Sequence, residues 1–405
     1  MKKIISTLRY ILALLLLPAG LLLPACKKTS NGGPSISQVR NYAASPKDTV
    51  VTVANPGQWV VIQGNNLGAT QAIYFDGFAA TFNNALQSNQ MLLVQIPATL
   101  ALGSVDSAKI NTLRLITSSG QVVYKLAIVP PAPAITGISN EMAHAGDTVN
   151  IYGYNYFFVK SIVYAGNLQI SNYKINSTGT AIHFTVPAGL SQAGPVIITT
   201  QSGADTTKYN VNDAITGMVS NFDNINNFDA GSSSGVLSND PAVYPDGWGT
   251  YARMTFLLGP ANDWGDGNPG RRTVLKPVQW VPVADVNDPT GSWAVKFEIN
   301  VKNPWSAGCM FVQDWAWNHT CRFEPWKTAA GGVYTTLGWN TITLPLSTFK
   351  TKTNNADGTG DPAATVGGLI GNTGMDRLGF FFDNPTVNVN NFDIAIDNIR
   401  VVKIQ

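Results

Sequence analysis

The feature that most limits the fold of this chain is an internal repeat that aligns without gaps. The segment GQWVVIQGNNLGATQAIYFDG at 57–77 aligns with GDTVNIYGYNYFFVKSIVYAG at 146–166, and further along VQIPATL parallels FTVPAGL. Each copy alternates apolar and polar residues, passes a turn rich in Gly and Asn, and continues into another strand. The repeat therefore predicts two β-sandwich domains of about 80–95 residues each.

The domain limits follow from the linkers and from changes in composition. We predict a first sandwich at 35–131, a second at 132–213 and a third, larger domain at 214–405, with the proline-rich stretch VPPAPAI joining the first two. Only three glutamates and 12% charged residues argue against extensive helix. The third domain contains plain strands such as SWAVKFEINV and RLGFFFDN, and about 190 residues of antiparallel strands suit a jelly roll. The predicted fold class is all-β.

The first 25 residues have the composition of a targeting segment. Basic residues open it, an apolar stretch follows, and it ends in LLLPAC, with Ala25 directly before Cys26. This ending resembles the lipobox of bacterial lipoproteins, which implies cleavage after residue 25, a lipid on Cys26 and a flexible tether at 26–34. An ordinary signal peptide or a membrane anchor is the alternative, but proline and glycine interrupt an apolar stretch that is short for a bilayer span.

Both sandwiches resemble immunoglobulin-like IPT/TIG domains, on the basis of PAITGIS and the shared pattern G-x-x-V-x-I-x-G-x-N. The third domain opens with NFDNINNFDAG and closes with FDIAIDNIRVVKI, and it is similar to carbohydrate-binding jelly rolls. The whole layout resembles the B-type surface glycan-binding lipoproteins of Bacteroidetes polysaccharide-utilisation loci, which end in a xyloglucan-binding domain. This resemblance implies an outer-membrane, surface-exposed lipoprotein that captures xyloglucan or another β-glucan near an importer complex and a surface glycoside hydrolase.

The tryptophans are the main candidates for ligand contact, because nine of the ten lie after Ile215. An indole ring covers a flat sugar face with few torsions to freeze, while polar side chains bind the hydroxyls. Strand alternation in SWAVKFEINV places Trp293 in the core, and Trp339 at the start of WNTITLPL has the same structural character.

The stretch DWAWNHTCRFEPW breaks this alternation and contains the predicted binding residues. Asn318, His319 and Thr320 have the composition of a loop tip, and Arg322 and Glu324 share a strand face. We predict that the aromatic rings of Trp315, Trp317 and Trp326 bind glycan together with the polar side chains of Arg322 and Glu324. Further exposed candidates are Trp248 and Trp280, and rim contacts are predicted at Trp264 and Trp305.

Two cysteines, Cys309 and Cys321, flank the first part of this stretch. An even number of cysteines in an exported chain suggests a disulfide, and neighbouring antiparallel strands bring Cα atoms within the required range of about 4.4–6.8 Å. Two free buried cysteines are the alternative.

Catalysis and nucleic-acid binding have little support in the sequence. The net charge is +2, the three histidines lie far apart, and no HExxH, nucleophile-elbow or phosphate-loop motif is present. We predict no catalytic residue and no cofactor. A structural Ca²⁺ bound by NFDNINNFD and IDNIR is an open alternative, because both stretches offer suitable oxygens. A surface adhesion protein, or less favourably an endo-acting glycoside hydrolase, is the alternative function.

Overall fold

The computed structural model describes residues 32–102, 105–245, 247–260 and 271–404. The predicted leader, Cys26 and Trp264 lie outside the described residues. Almost all regular structure in the described part is β-strand, beside one short α-helix, α1 (Val366–Ile370), and a few single turns of 3₁₀-helix. Within those same ranges, no helix is long and apolar enough to cross a membrane.

The first sandwich contains two four-stranded antiparallel sheets, in the orders β1-β3-β7-β6 and β5-β4-β8-β9. Its alternating residues, such as Val60 and Ile62 of β3, are fully buried between the sheets, as a strand period of two requires. The strands are β1 (Ser35–Asn41), β2 (Val53–Ala54), β3 (Trp59–Asn65), β4 (Thr70–Phe75), β5 (Phe78–Ala79), β6 (Phe82–Gln87), β7 (Met91–Gln95), β8 (Thr112–Thr117), β9 (Gly120–Lys125) and β10 (Ala127–Ile128).

The second sandwich repeats this arrangement, with sheet orders β11-β12-β16-β15 and β14-β13-β17-β18. Val149 and Ile151 of β12 occupy the core positions that Val60 and Ile62 hold in the first copy. The strands are β11 (Ala134–Ile138), β12 (Thr148–Tyr154), β13 (Val159–Tyr164), β14 (Leu168–Gln169), β15 (Tyr173–Ile175), β16 (Ala181–Thr185), β17 (Ile197–Thr200) and β18 (Gly203–Thr206).

The third domain packs a six-stranded sheet face to face against a four-stranded sheet. One has the order β20-β21-β30-β24-β27 with β19 beside β30, and the other has the order β22-β29-β25-β26. Their strands are β19 (Met218–Ser220), β20 (Val236–Ser238), β21 (Tyr251–Leu258), β22 (Arg272–Val274), β24 (Trp293–Val301), β25 (Cys309–Asp314), β26 (Thr320–Phe323), β27 (Asn340–Pro345), β29 (Leu378–Asp383) and β30 (Val389–Lys403), beside a small pair of β23 (Val278–Gln279) and β28 (Met375–Asp376). The all-β prediction of two immunoglobulin-like sandwiches followed by a jelly-roll sandwich is confirmed.

The contacts along the chain define two compact units. The first consists of residues up to Thr99 with Asp106–Ile128, and the second of Leu100–Val105 with everything from Val129 onward. The second sandwich and the third domain therefore belong to one unit. The domain limits that we set from the sequence stay predictions.

A buried network of charges joins the second sandwich to the third domain. Lys296 and Glu298 lie on the face of β24 that points away from the core, and both are buried with Arg400 of β30. Glu141 of the second sandwich reaches this face, and its carboxylate lies 2.5 Å from Lys296 Nζ and 2.8 Å from Arg400 Nη2. Arg400 Nη1 also lies 2.8 Å from Glu298 Oε2. The four charges therefore compensate one another out of contact with water.

Neighbouring groups satisfy the remaining polar atoms of this network. The Lys296 ammonium lies 3.1 Å from the ring centre of Tyr209, and the Thr341 hydroxyl donates to Glu298 Oε1 at 2.7 Å. The Glu141 backbone N–H donates to the Thr341 oxygen at 2.7 Å. Burial lowers the pKa of Lys296 to about 8, although Glu141 opposes this shift, and burial raises the pKa of Glu298. The cost of this burial is compensated only while all partners are present.

The disulfide that the sequence suggested between Cys309 and Cys321 is not formed. Both cysteines are buried and free. In the β25–β26 pairing, Cys321 lies opposite Val312 and packs in the core, whereas Cys309 packs with Phe311 on the outer face. The two thiols therefore point to opposite faces of one sheet. A disulfide cannot form between them, because their Cβ atoms point away from each other.

Candidate functional site

The outer face of the sheet β22-β29-β25-β26 carries an aromatic cluster. Phe311 of β25 and Phe381 of β29 lie directly opposite each other and point outward, while their sequence neighbours Val312, Phe380 and Phe382 enter the core. The Trp317 ring packs on both outward rings, with centroid distances of 6.4 Å to Phe311 and 5.1 Å to Phe381. Trp317 is thus half-buried, and its ring covers Phe311 and Phe381 on the outer face of the sheet.

The loop between β25 and β26, which carries Trp315 and Trp317, is held by a carboxylate at its start. Asp314 Oδ1 accepts a hydrogen bond from the Asn318 N–H at 2.9 Å and a longer one from the His319 N–H at 3.4 Å. Burial raises the pKa of Asp314 to about 6, although these backbone N–H groups oppose the shift. The loop is therefore fixed locally by its own hydrogen bonds.

Trp315 is the most exposed aromatic ring of this face. Its side chain is 49% exposed. The guanidinium carbon of Arg377 lies 4.4 Å from the ring centre of Trp315, so a planar cation stacks on one side of the indole. About half of the residue's surface stays accessible to a ligand beside the arginine.

An open groove of about 590 Å³ lies at the opposite end of the same face. Trp326, Arg322 and Glu324 all line it, as the sequence predicted for a shared surface. The Trp326 indole N–H donates to the Gly308 carbonyl at 2.7 Å, which fixes the ring. Gly308 has a φ of 83°, and an added Cβ would lie 2.7 Å from the Asn384 Cβ, so glycine is required at this wall. The remaining lining residues are Cys309, Phe311, Lys327, Lys352, Asn355, Ala356, Asp357, Asp383, Asn384, Pro385 and Thr386.

The charged side chains in and beside the groove are paired with one another. The ion pairs are Arg322–Glu324 at 3.4 Å, Lys327–Glu324 at 2.9 Å, Lys352–Asp357 at 3.4 Å and Arg271–Asp383 at 3.1 Å. Burial alone would raise the pKa of Glu324, but hydrogen bonds from Lys327 and Arg322 lower it. The groove therefore offers fixed hydroxyl-binding groups without a strong excess of either charge.

The exposed indole of Trp315 and the half-buried indole of Trp326 mark the two ends of this face. Trp326 bonds to Gly308, which directly precedes β25, and Trp315 directly follows the last residue of β25. The six residues of β25 are all buried, and they separate these two ends by about 20 Å, a length that suits several sugar rings. Trp326, Arg322 and Trp315 define what we call the β25 face.

Several tryptophans that the sequence analysis offered as ligand contacts have structural positions instead. Trp280 is 2% exposed, because its ring packs in the core at 6.2 Å from Phe349 and its N–H donates to the Asp376 carbonyl. Trp305 is fully buried within an aromatic cluster of the same core. The predictions that these two rings are exposed were wrong, since a turn beside a strand does not reveal which way the ring points.

Trp248 also differs from its predicted role. It is half-buried, stacks on His144 of the second sandwich with a centroid distance of 4.7 Å, and donates its N–H to the Met142 carbonyl. It therefore packs the third domain against the second sandwich rather than lining the groove. Trp293 and Trp339 are buried, as predicted.

The structure offers no evident metal centre in its described part. Among the residues of those ranges, no group of three or more His, Cys, Asp or Glu side chains is arranged to hold a metal ion. The Ca²⁺ that we considered for NFDNINNFD and IDNIR stays a prediction.

The fold and this face define a class of protein. Its members have tandem immunoglobulin-like sandwiches followed by a jelly roll with an aromatic outer face. Residues 211–403 match the family model described as the surface glycan-binding protein B xyloglucan binding domain. The third domain is thus similar to that domain family over almost its whole length.

One curated protein matches about half of this chain, and two solved structures match most of it. An IPT/TIG domain-containing protein of Bacteroides ovatus is 25% identical over 224 residues, which is 52% of this chain and 46% of that protein. The chain thus matches less than half the length of this curated relative. The crystal structure of a surface glycan-binding protein from Prevotella bryantii covers 92% of this chain and 99% of its own, with a TM-score of 0.66 and 20% identity. A surface glycan-binding protein B from a complex xyloglucan utilization locus of Bacteroides uniformis has the same coverage, a TM-score of 0.51 and 21% identity. These two structures show the fold.

Proposed function

We propose that this chain is a non-catalytic, cell-surface glycan-binding lipoprotein that captures xyloglucan or another β-glucan for uptake and degradation. The observation that carries this proposal is the match of 211–403 to the xyloglucan-binding domain family. The β25 face supports it independently, because the exposed indole of Trp315, the half-buried indole of Trp326 in the groove and the paired polar groups suit a neutral sugar chain.

The chemistry of the face favours a neutral polymer over a charged one. Each cationic side chain of the groove has a carboxylate partner within 4 Å, so an acidic glycan would have to displace these pairs. The ligand hydroxyls instead meet fixed donors and acceptors such as Arg322 and Glu324, and the pyranose faces meet Trp315 and Trp326.

The location and the partners belong to the same proposal. A lipid on Cys26 holds the protein at the outer membrane, and the two sandwiches separate that anchor from the binding domain in sequence. Glycan bound there stays near an importer complex and a surface glycoside hydrolase, which process it further. This order of parts is the one that the sequence resemblance implies.

The state of Glu324 supports a role in binding rather than in hydrolysis. A glycosidase requires a carboxylic acid with a raised pKa as proton donor. Glu324 instead pairs with Lys327 and Arg322, which lower its pKa. It remains a carboxylate at neutral pH and serves as a hydrogen-bond acceptor.

Affinity electrophoresis on a panel of polysaccharides tests this function. We expect xyloglucan or another β-glucan in the gel to retard the protein, and we expect acidic glycans to leave its mobility unchanged. Because the proposed ligand is neutral and the charged side chains of the groove stay paired, the binding constant measured by calorimetry should change by less than about twofold between low and high salt.

Incubation of the same protein with the retained glycan should release no new reducing ends. Release of reducing ends would establish a hydrolase and contradict the non-catalytic proposal. Failure of every glycan to retard the protein would contradict glycan capture and favour the adhesion alternative.

A further inference from the structure

The Arg377 side chain contacts an aromatic ring and a carboxylate at the same time. Its guanidinium stacks on Trp315, with 4.4 Å between the guanidinium carbon and the ring centre. The same guanidinium is held from the other direction, because its Nη1 lies 2.6 Å from Asp229 Oδ2 and 3.3 Å from the Ser232 hydroxyl. Three elements thus meet at one side chain: the 229–232 loop, the strand β29 that begins after Arg377, and the loop that carries Trp315.

The Asp229 carboxylate is well suited to hold a cation at this place. Burial alone would raise its pKa, but hydrogen bonds from Ser232 and Arg377 and the positive charge of Arg377 lower it. A planar guanidinium can satisfy a carboxylate with its edge and an aromatic ring with its face at the same time. A lysine ammonium has the same charge but is not planar, so it cannot stack on the ring in this way.

We infer that Arg377, fixed by Asp229, is a positioning residue that presents one face of Trp315 to a sugar ring. This inference rests on the proposed glycan-binding function of the β25 face. Arg377 covers one side of the indole, so the glycan stacks on the single free side. The Trp315 backbone bonds to Asp376, whereas the stacked cation restricts rotation of the ring itself before the ligand arrives, which lowers the entropic cost of binding.

The consequence is a coupling between two side chains. Arg377→Ala should weaken glycan binding about threefold to tenfold, because an unsupported indole adopts several orientations. The loss should require Trp315, so Arg377→Ala should have no further effect on a Trp315→Ala protein. Arg377→Lys should bind almost as weakly as Arg377→Ala, and Asp229→Asn should give a smaller loss.

The first sandwich offers a matched control. The guanidinium carbon of Arg114 also lies 4.4 Å from an aromatic ring centre, that of Tyr74. Arg114→Ala therefore removes a stacked arginine of the same geometry from a different domain, and it should leave glycan binding unchanged.

The experiment is a double-mutant cycle on the full chain, measured by calorimetry with xyloglucan and accompanied by melting curves of every variant. Support requires a loss for Arg377→Ala that disappears in the Trp315→Ala background, at an unchanged melting temperature. An equal loss in both backgrounds would mean that Arg377 binds the glycan by itself and would overturn the inference.

The remaining outcomes separate this inference from the function on which it rests. If Trp315→Ala weakens binding and Arg377→Ala does not, the positioning role is wrong and the glycan-binding proposal stands. If neither change affects retention of xyloglucan, both the role of Arg377 and the assignment of the β25 face are wrong.

Discussion

Replacement of Glu141 by alanine is expected to destabilise the unit that holds the second sandwich and the third domain by about 3–5 kcal/mol. Glu141 is 2% exposed and pairs with both Lys296 and Arg400. Without it, Lys296 loses its hydrogen-bonded carboxylate and Arg400 keeps only Glu298, so the remaining negative charge compensates the burial of two cations incompletely. Chemical denaturation followed by tryptophan fluorescence measures the effect, because nine of the ten tryptophans lie in the third domain.

Two further variants isolate the cause of this loss. Glu141→Gln keeps the shape but removes the charge, and it should lose nearly as much stability as Glu141→Ala. Lys352→Ala breaks the Lys352–Asp357 pair, whose atoms lie 3.4 Å apart at the surface of the same unit, and it should change stability by less than about 1 kcal/mol. A Glu141→Ala protein that unfolds at the wild-type denaturant concentration would show that the buried network does not stabilise the unit.

The second large effect is expected for the joint replacement of Trp315 and Trp326 by alanine. Each ring contributes about 1–2 kcal/mol through contact with a sugar face, so the double variant should bind β-glucan about a hundredfold more weakly. Affinity electrophoresis should then show almost no retardation. The two rings lie at opposite ends of the β25 face, so their effects should be nearly additive.

Trp59→Ala is the matched control for this pair. Trp59 is 44% exposed, close to the value for Trp315, but it lies in the first sandwich. Its removal should leave retention unchanged. A folded double variant that still binds like the wild type would place the glycan elsewhere in the chain.

The sequence was sufficient for the architecture because the evidence for it is local. Gly, Asn and alternating apolar residues fix strands and turns within short windows, and the gapless repeat identifies two copies of one fold. The alternation of SWAVKFEINV correctly placed Trp293 in the core. The same rule, applied to the FFF of RLGFFFDN, would have identified Phe381 as the outward ring between two core rings.

The polar face of β24 could not be predicted in the same way. Alternation places Lys296 and Glu298 on one side, and charged residues there normally face water. Their burial depends on Glu141, which lies 155 residues before Lys296 in the chain. A contact over that separation leaves no local trace in the sequence.

In the candidate site, too, contacts between residues close in sequence could be predicted and contacts between distant residues could not. Arg322, Glu324 and Trp326 are close in sequence, and the structure brings them together in one groove. Trp248 and Trp280 also lie next to turn residues, yet the first packs against the second sandwich and the second lies in the core. Arg377 stacks on Trp315, and the two residues are 62 positions apart in the chain. A short sequence motif therefore cannot predict this contact.

Footprinting of the tryptophan rings tests most directly where the glycan binds. Hydroxyl radicals oxidise exposed indoles, and mass spectrometry of the full chain measures the oxidation of each ring with a xyloglucan oligosaccharide present. An equal concentration of a glycan that the protein does not retain corrects for radicals consumed by sugar. We expect protection of Trp315 and Trp326 and unchanged oxidation of Trp59. Retained xyloglucan that leaves both Trp315 and Trp326 as reactive as before would contradict the account.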